Sequence, residues 1–170
     1  MKQKLALSCA LIHAPRLIVL DEPTTGVDAV SRTEFWEMLY KLKKENITII
    51  VSTPYMDEAD RCDRVALIQE GSILKIDKPS KIADNYGSKL YAVSADNKYK
   101  LIQALRAHKQ IASVNAFGDS VHINYVEDRV DKNLAAHLKS EGLNKVLIRE
   151  IEPGIEDTFL KLIEKNGDRQ

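Results

Sequence analysis

Two cysteines, one tryptophan and a formal net charge of +0 set the first limits on this 170-residue sequence. Its 25 Lys and Arg balance 25 Asp and Glu, and nucleic-acid binders that neutralise phosphates need a basic excess. We therefore expect no nucleic-acid partner. Cys9 and Cys62 share no metal-site spacing with a histidine, which predicts two buried thiols in a reducing compartment. The longest apolar runs, 17–20 and 47–51, fall far short of the ~20 residues of a membrane span.

The apolar pattern of residues 1–84 predicts helices that alternate with strands. Leu5, Cys9 and Ile12 recur at helical spacing, whereas 17–20 is a continuous apolar run, which is typical of a parallel strand buried on both faces. The predicted elements are helices over 1–14, 30–44 and 56–61, strands over 16–21 and 47–52, and a hairpin of strands 65–69 and 72–76. This order predicts an α/β sheet with crossover helices.

A different order follows Pro79. The predicted elements are a polar helix over 81–86, a strand over 89–95, a helix over 98–108, strands over 111–117 and 120–126, a helix over 131–141, a strand over 145–150 and a helix over 155–164. Strand, helix, two strands, helix and strand form the ferredoxin-like βαββαβ unit, here with an added terminal helix. We predict two modules, residues 1–84 and residues 85–170, of which the second is an α+β ferredoxin-like module.

The residues that bear chemistry follow the first strand. Asp21, Glu22 and Pro23 come directly after Leu17–Leu20, which places two carboxylates at the carboxyl edge of the sheet, where ligands of open α/β folds bind. In phosphoryl transfer the first such acid holds Mg²⁺, usually through water, and the second orients or deprotonates the attacking water. The alternative interpretation is a strand whose polar end faces solvent.

With the next residues, Thr24–Asp28, the sequence resembles the ATP-binding subunit of ABC transporters. Five motifs occur in the order and spacing of that family across residues 1–84. They are the helix after the signature at 1–5, its continuation at 7–16, the Walker B strand at 17–22, the D-loop at 25–28, and the switch loop at 51–53 with 55–60. The second module, which ends in Ile155–Lys161, resembles more loosely the C-terminal extension of the drug, antibiotic and polysaccharide exporter subgroup.

The resemblance implies part of a P-loop NTPase-type parallel sheet, with ATP and Mg²⁺ as cofactors of the parent protein. It implies that Asp21 is the Mg²⁺-associated acid and that Glu22 is the general base for ATP hydrolysis. Asp28 would communicate across a dimer of ATPase domains. Gln3 would lie near the nucleotide of the partner domain, at a helix N-terminus aimed at phosphate. A solvated first-turn residue is an equal alternative for Gln3.

Two features depart from the family pattern. The sequence contains no Gly-x-x-x-x-Gly-Lys-Ser/Thr, so the backbone and lysine that hold the β- and γ-phosphates are missing. We expect the first half of the ATPase domain to lie upstream of Met1, and we expect no useful ATP affinity for this chain alone. Pro54 occupies the position of the switch histidine, and proline offers neither a side-chain donor nor a backbone N–H.

The resemblance implies an ATP-binding and ATP-hydrolysing subunit of an ABC-type exporter, of which this chain is a fragment. Its partners would be a membrane permease subunit and a second ATPase domain, in a homo- or heterodimer. Its place would be peripheral, at the cytoplasmic face of the cell membrane. The alternative is a catalytically degenerate regulatory or dimerisation module, in which Pro54 marks lost hydrolysis.

Other polar residues carry weaker signals. Asp57, Glu58 and Asp60 begin a predicted helix, where acids favour the helix dipole, and we prefer capping to metal binding for them. The four histidines have no common spacing, which favours surface or core-edge roles over a metal site; they are His13, His108, His122 and His137. In the second module the strand aromatics with which RNA-binding sheets stack bases are mostly missing. Trp36 is predicted to lie in the core or on a partner face.

Overall fold

The structure, a computed structural model, describes residues 2–126, 131 and 133–167, of which 2–4 and 165–167 are described by their backbone alone. The helices are α1 Lys2–Leu11, α2 Ala29–Lys44, α3 Met56–Ala59, α4 Pro79–Asp84, α5 Lys98–Ala107, α6 Leu134–Ser140 and α7 Ile155–Gly167. The strands are β1 Leu17–Asp21, β2 Thr48–Ser52, β3 Val65–Gln69, β4 Ser72–Asp77, β5 Leu90–Ser94, β6 Ile111–Phe117, β7 Ser120–Tyr125 and β8 Leu147–Ile151.

The predicted mixture of helices and sheets is confirmed. The chain divides into two compact units, Met1–Cys62 and Asp63–Gln170. The module boundary between residues 84 and 85 remains a prediction. No helix within the described ranges is both long and apolar enough to cross a membrane.

The first unit is built on two parallel strands. β1 pairs with β2 from Leu17 opposite Thr48 to Asp21 opposite Ser52, so both strands end at the same level. The helix α2 connects them, and its amino end is capped by Asp28, whose side chain accepts a hydrogen bond from the backbone N–H of Ser31 at 3.0 Å. This cap satisfies one of the unpaired N–H groups at the helix start and fixes where the helix begins.

One face of this strand pair carries the core of the first unit. The buried cluster consists of Leu7, Ile18, Phe35, Trp36, Leu39 and Leu42. Phe35, Leu39 and Leu42 recur at i, i+4 and i+7, so α2 presents one apolar stripe to the cluster. Trp36 is 4% exposed, so of its two predicted positions, the core or a partner face, the structure shows the core.

The expectation that β1 is buried on both faces is wrong for the described residues. Ile18 and Leu20 contact the cluster, but Leu17 and Val19 are 50% and 67% exposed. Successive side chains of a strand point to opposite faces, and the helical side chains of the cluster cover one face. Ile50 on β2 shares this exposure.

The apolar stripe predicted for α1 is also wrong. Leu5, Cys9 and Ile12 are exposed, whereas Leu7 is buried and Leu11 packs against the cluster. Several apolar residues in this helix allow more than one stripe at helical spacing, and tertiary packing selects the other one. Cys9 is therefore not the buried thiol that was predicted, and Cys62 is half-buried.

The second unit contains a four-stranded antiparallel sheet in the order β6-β7-β5-β8. Alternate residues of β7 point into its core, whose buried members are Tyr91, Val93, Leu101, Leu105, Val121, Ile123, Tyr125, Leu134, Leu138 and Leu143. Leu90 and Ala92, on the opposite face of β5, are buried as well. Strand β5, an inner strand of this sheet, is therefore covered on both faces.

A hairpin and the last helix complete this unit. β3 and β4 pair antiparallel around Glu70 and Gly71, whose φ angles of 50° and 74° suit the type I′ turn of a two-residue hairpin. The Nζ of Lys161 on α7 donates to the carbonyl of Tyr86 and to the hydroxyl of Ser88, both at 2.7 Å. These bonds fix α7 beside α4.

Two tyrosines of the second unit hold their protons unusually tightly. Burial raises the pKa of Tyr86 to about 12, and the negative charges of Asp157 and Glu164 add to this shift. Burial is also the main cause that raises the pKa of Tyr125 to about 12. The stability that these groups contribute is therefore complete below pH 10, where tyrosines of the unfolded chain also keep their protons, and it is lost as the pH rises through about 12.

An alkaline titration followed by phenolate absorbance is expected to show both ionisations near pH 12. Tyr86→Phe and Tyr125→Phe should each remove one of them. Tyr99→Phe serves as the control, because Tyr99 is 73% exposed, and it should leave both in place. If both ionisations near pH 12 persist in the Tyr86→Phe and Tyr125→Phe variants, the assignment of these ionisations to the two tyrosines is wrong.

Candidate functional site

The carboxyl ends of β1 and β2 bring the predicted acid pair against Ser52. The Ser52 hydroxyl donates to Oδ1 of Asp21. The backbone N–H of Glu22 donates to both the carbonyl and the Oγ of Ser52, each at 3.0 Å. Because the two strands end at the same level, one serine fixes the backbone and one side chain of the acid pair.

Glu22 lies where the chain leaves the strand. Its φ of 41° is in the left-handed region that L-residues rarely adopt, and this conformation turns the chain sharply away from β1. The Thr25 hydroxyl donates to Oε2 of Glu22 at 3.1 Å, and the Thr25 N–H donates to the backbone carbonyl of Glu22 at 3.2 Å. The side chain is exposed, so this carboxylate is oriented at the sheet edge and open to solvent.

Asp28 is placed at the start of α2 and not within the acid pair. Hydrogen bonds from the backbone N–H and then the hydroxyl of Ser31 lower the pKa of its carboxyl group. Capping accounts for this geometry within the chain. Its predicted role across an ATPase dimer remains a prediction.

Pro54 follows β2 and is exposed, between Thr53 and Tyr55. The parallel register thus brings the segments of Asp21, Glu22 and Pro54 to the ends of two paired strands. The backbone of Gln3 lies in α1, but its side chain is outside the described residues, so its predicted nucleotide contact is open.

Sequence reasoning missed Glu58. The sequence pattern assigns the acids of α3 to helix capping, yet Glu58 is 0% exposed and accepts hydrogen bonds from the hydroxyls of Thr24 and Thr53. Thr24 lies 34 residues before Glu58 in the sequence, so no local pattern marked this contact.

Burial is the main cause that raises the pKa of Asp60, with the charge of Asp57 second.

The side chains at the ends of β1 and β2 carry the kind of donor atom that Mg²⁺ prefers. Asp21 and the Ser52 hydroxyl supply oxygen atoms, the ligand type that Mg²⁺ prefers, and this ion takes its remaining ligands from water and phosphates. Among the described residues no group of three His, Cys, Asp or Glu side chains could hold a metal by itself.

The parallel strands, the acid pair at their ends and the capped helix that follows are consistent with part of an NTPase-type α/β domain. The chain is homologous to ABC transporter ATP-binding proteins, with 30–34% identity over about 95% of its length. The resemblance inferred from the motifs is thereby confirmed. No protein-family model matches the chain.

Three relatives illustrate the match. "Probable multidrug ABC transporter ATP-binding protein YbhF" of Escherichia coli K12 is 32% identical over 165 residues, which are 96% of this chain and 28% of that protein. Nod factor export ATP-binding protein I of Bradyrhizobium diazoefficiens is 32% identical over 95% of this chain and 51% of its own length. The Nod factor export ATP-binding protein I of Rhizobium sp. N33 is 34% identical, with 95% and 52% covered. The chain spans about half or less of these relatives.

Proposed function

We propose that this chain is the C-terminal half of the nucleotide-binding domain, with its C-terminal extension, of the ATP-binding subunit of an ABC-type exporter. The observation that carries the proposal is the acid pair Asp21 and Glu22, hydrogen-bonded to the end of the neighbouring parallel strand. The homologues, which include Nod factor export proteins, support it. The strand order β6-β7-β5-β8 supports a ferredoxin-like extension at residues 85–170.

In this proposal Glu22 is the general base for ATP hydrolysis. Its carboxylate is exposed, and the Thr25 hydroxyl orients it, so it can accept a proton from a water molecule beside the phosphate. Asp21 would hold Mg²⁺ through water, and the bound ion would neutralise charge on the phosphate oxygens. Ser52 positions both acids from the adjacent strand end.

The partners belong to the proposal as well. ATP-driven closure of two ATPase domains would move a membrane permease subunit, with Asp28 and Gln3 near the domain interface. The subunit would be peripheral at the cytoplasmic face of the membrane. ATP and Mg²⁺ would bind the complete protein, since the phosphate-holding loop is not among these residues.

The test compares the complete protein with the 170-residue chain. The reading frame upstream of Met1 should encode Gly-x-x-x-x-Gly-Lys-Ser/Thr and Leu-Ser-Gly-Gly. A fluorescent ATP analogue should bind the complete protein and not the 170-residue chain. Glu22→Gln should keep binding and lower hydrolysis by about 10²–10⁴-fold, the contribution of a general base.

The control is Glu37→Gln, which removes the same charge at an exposed position on α2 and should leave hydrolysis unchanged. Micromolar binding of the analogue to the 170-residue chain would contradict the proposal that ATP binding needs the phosphate-holding loop of the complete protein. Equal hydrolysis in the Glu22→Gln and wild-type proteins would show that Glu22 is not the base at a working site.

One observation favours a second candidate. Pro54 supplies no donor where the family has a histidine, which suits a degenerate half that binds ATP while a second ATPase domain hydrolyses it. Glu22→Gln then leaves the hydrolysis of the assembled pair intact. Complete loss of hydrolysis in that variant excludes the degenerate half-site.

A further inference from the structure

Glu58 is a fully buried carboxylate on the short helix α3. The Thr24 hydroxyl donates to its Oε1 and the Thr53 hydroxyl donates to its Oε2, both at 2.7 Å. Thr24 is itself 1% exposed. A carboxylate is costly to bury unless hydrogen bonds and an opposite charge compensate it. Each oxygen atom of Glu58 accepts one of these hydrogen bonds.

The two donors come from the two segments of the proposed site. Thr24 lies two residues after Glu22, and Thr53 lies directly before Pro54. The backbone N–H of Tyr55 donates to the Thr53 oxygen at 3.1 Å, so the Thr53 hydroxyl hydrogen is directed at Glu58. One side chain therefore joins the turn after β1 to the loop after β2.

A cation from a third element completes this cluster. Nε of Arg32 on α2 lies 3.8 Å from Oε1 of Glu58, and its Nη1 lies 3.6 Å from Oδ2 of Asp57. The Arg32 guanidinium also lies over the Tyr55 ring, 4.7 Å from the ring centroid. Among the described residues the buried Nε has no hydrogen-bond acceptor, so charge holds Arg32 to Glu58 without a direct hydrogen bond at this atom.

We propose that Glu58 is a positioning residue that holds the turn bearing Glu22 and the loop bearing Pro54 in one fixed arrangement. A displacement of either segment is then transmitted to the other through the carboxylate. The effect on hydrolysis rests on the proposed function, whereas the coupling between Thr24 and Thr53 does not.

The substitution that isolates this role is Glu58→Gln. Glutamine has nearly the same volume, but its amide nitrogen cannot accept a hydrogen bond. One of the two hydroxyl donors then loses its acceptor, and Arg32 loses the buried charge. Glu58→Asp keeps the charge on a side chain one methylene shorter and tests whether reach also matters.

In the complete protein, Glu58→Gln is expected to lower kcat by at least about tenfold, because small displacements of catalytic groups have large effects. The KM for ATP should change by less than about twofold, since binding groups are not displaced. Glu37→Gln is the matched control and should keep wild-type values. An unchanged kcat, or a raised KM at unchanged kcat, overturns the effect on hydrolysis.

The coupling is measured without ATP, by amide NMR spectra of the 170-residue chain. Thr53→Val should shift the amide resonances of Glu22 and Thr24, and it should no longer do so in a Glu58→Gln background. Thr33→Val is the control, because the Thr33 hydroxyl donates to a carbonyl of its own helix, that of Ala29.

The two measurements separate the two hypotheses. If the wild-type protein neither binds nor hydrolyses ATP but Thr53→Val shifts Thr24 through Glu58, the proposed function fails and the positioning role stands. If Thr53→Val leaves the Thr24 and Glu22 resonances in place, or shifts them equally in the Glu58→Gln background, the positioning role is wrong whatever the ATPase result.

Discussion

Replacing Pro54 with histidine in the complete protein is expected to raise the rate of ATP hydrolysis by about 10²-fold, the scale of one added donor at a developing charge. Pro54 is exposed, so the larger side chain needs no repacking. Histidine adds a ring N–H at the end of β2, beside the strand end that bears Glu22. Steady-state phosphate release with and without the substitution measures the effect.

The control for this experiment is Glu22→Gln in the Pro54→His protein. If the gain depends on the proposed site, the double variant should lose it entirely. Equal turnover in Pro54→His and wild-type protein would contradict the assignment of position 54 to the switch loop. Substitution of an exposed residue far along the chain, such as Tyr99→His, controls for the added imidazole.

Truncation of Leu138 to alanine is expected to lower the free energy of unfolding by about 2–5 kcal/mol. Leu138 is 0% exposed on α6 and lies in the cluster that the strands of the second unit cover. The loss combines the removed apolar surface with the cavity that remains. Urea denaturation followed by far-UV circular dichroism measures it, because the sole tryptophan, Trp36, belongs to the other cluster.

Leu147→Ala is the matched control for Leu138→Ala. The same atoms are removed, but Leu147 is 58% exposed, and the expected change is within about 0.5 kcal/mol. Similar losses in the two variants would mean that burial does not set the effect at these positions.

The sequence predicts the elements of this chain well because each element has a local signature. The apolar run 17–20 ends at two acids and a proline, and the structure places β1 at Leu17–Asp21. Asp28 precedes an apolar stripe with helical spacing, and α2 starts at Ala29. The short segment from Glu70 to Gly71 closes a hairpin as predicted. In each case the information lies within a few residues.

Features that depend on distant residues could not be predicted. Thr24, 34 residues away, donates a hydrogen bond to the buried Glu58, and no pattern near Glu58 contains that contact. The exposure of Val19 depends on which layers cover the sheet, which the strand's own composition does not encode. Cys9 lies outside the core for the same reason, since α1 has two possible apolar faces and packing selects one.

The positive φ of Glu22 has a consequence for protein engineering. An L-residue in the left-handed region costs about 1–2 kcal/mol relative to its ordinary conformation, and glycine adopts that region freely. Backbone preference and the proposed chemistry therefore make opposite demands on position 22. A redesign that optimised folding stability residue by residue would choose glycine there, and the carboxylate assigned to catalysis would be among the first side chains it removed.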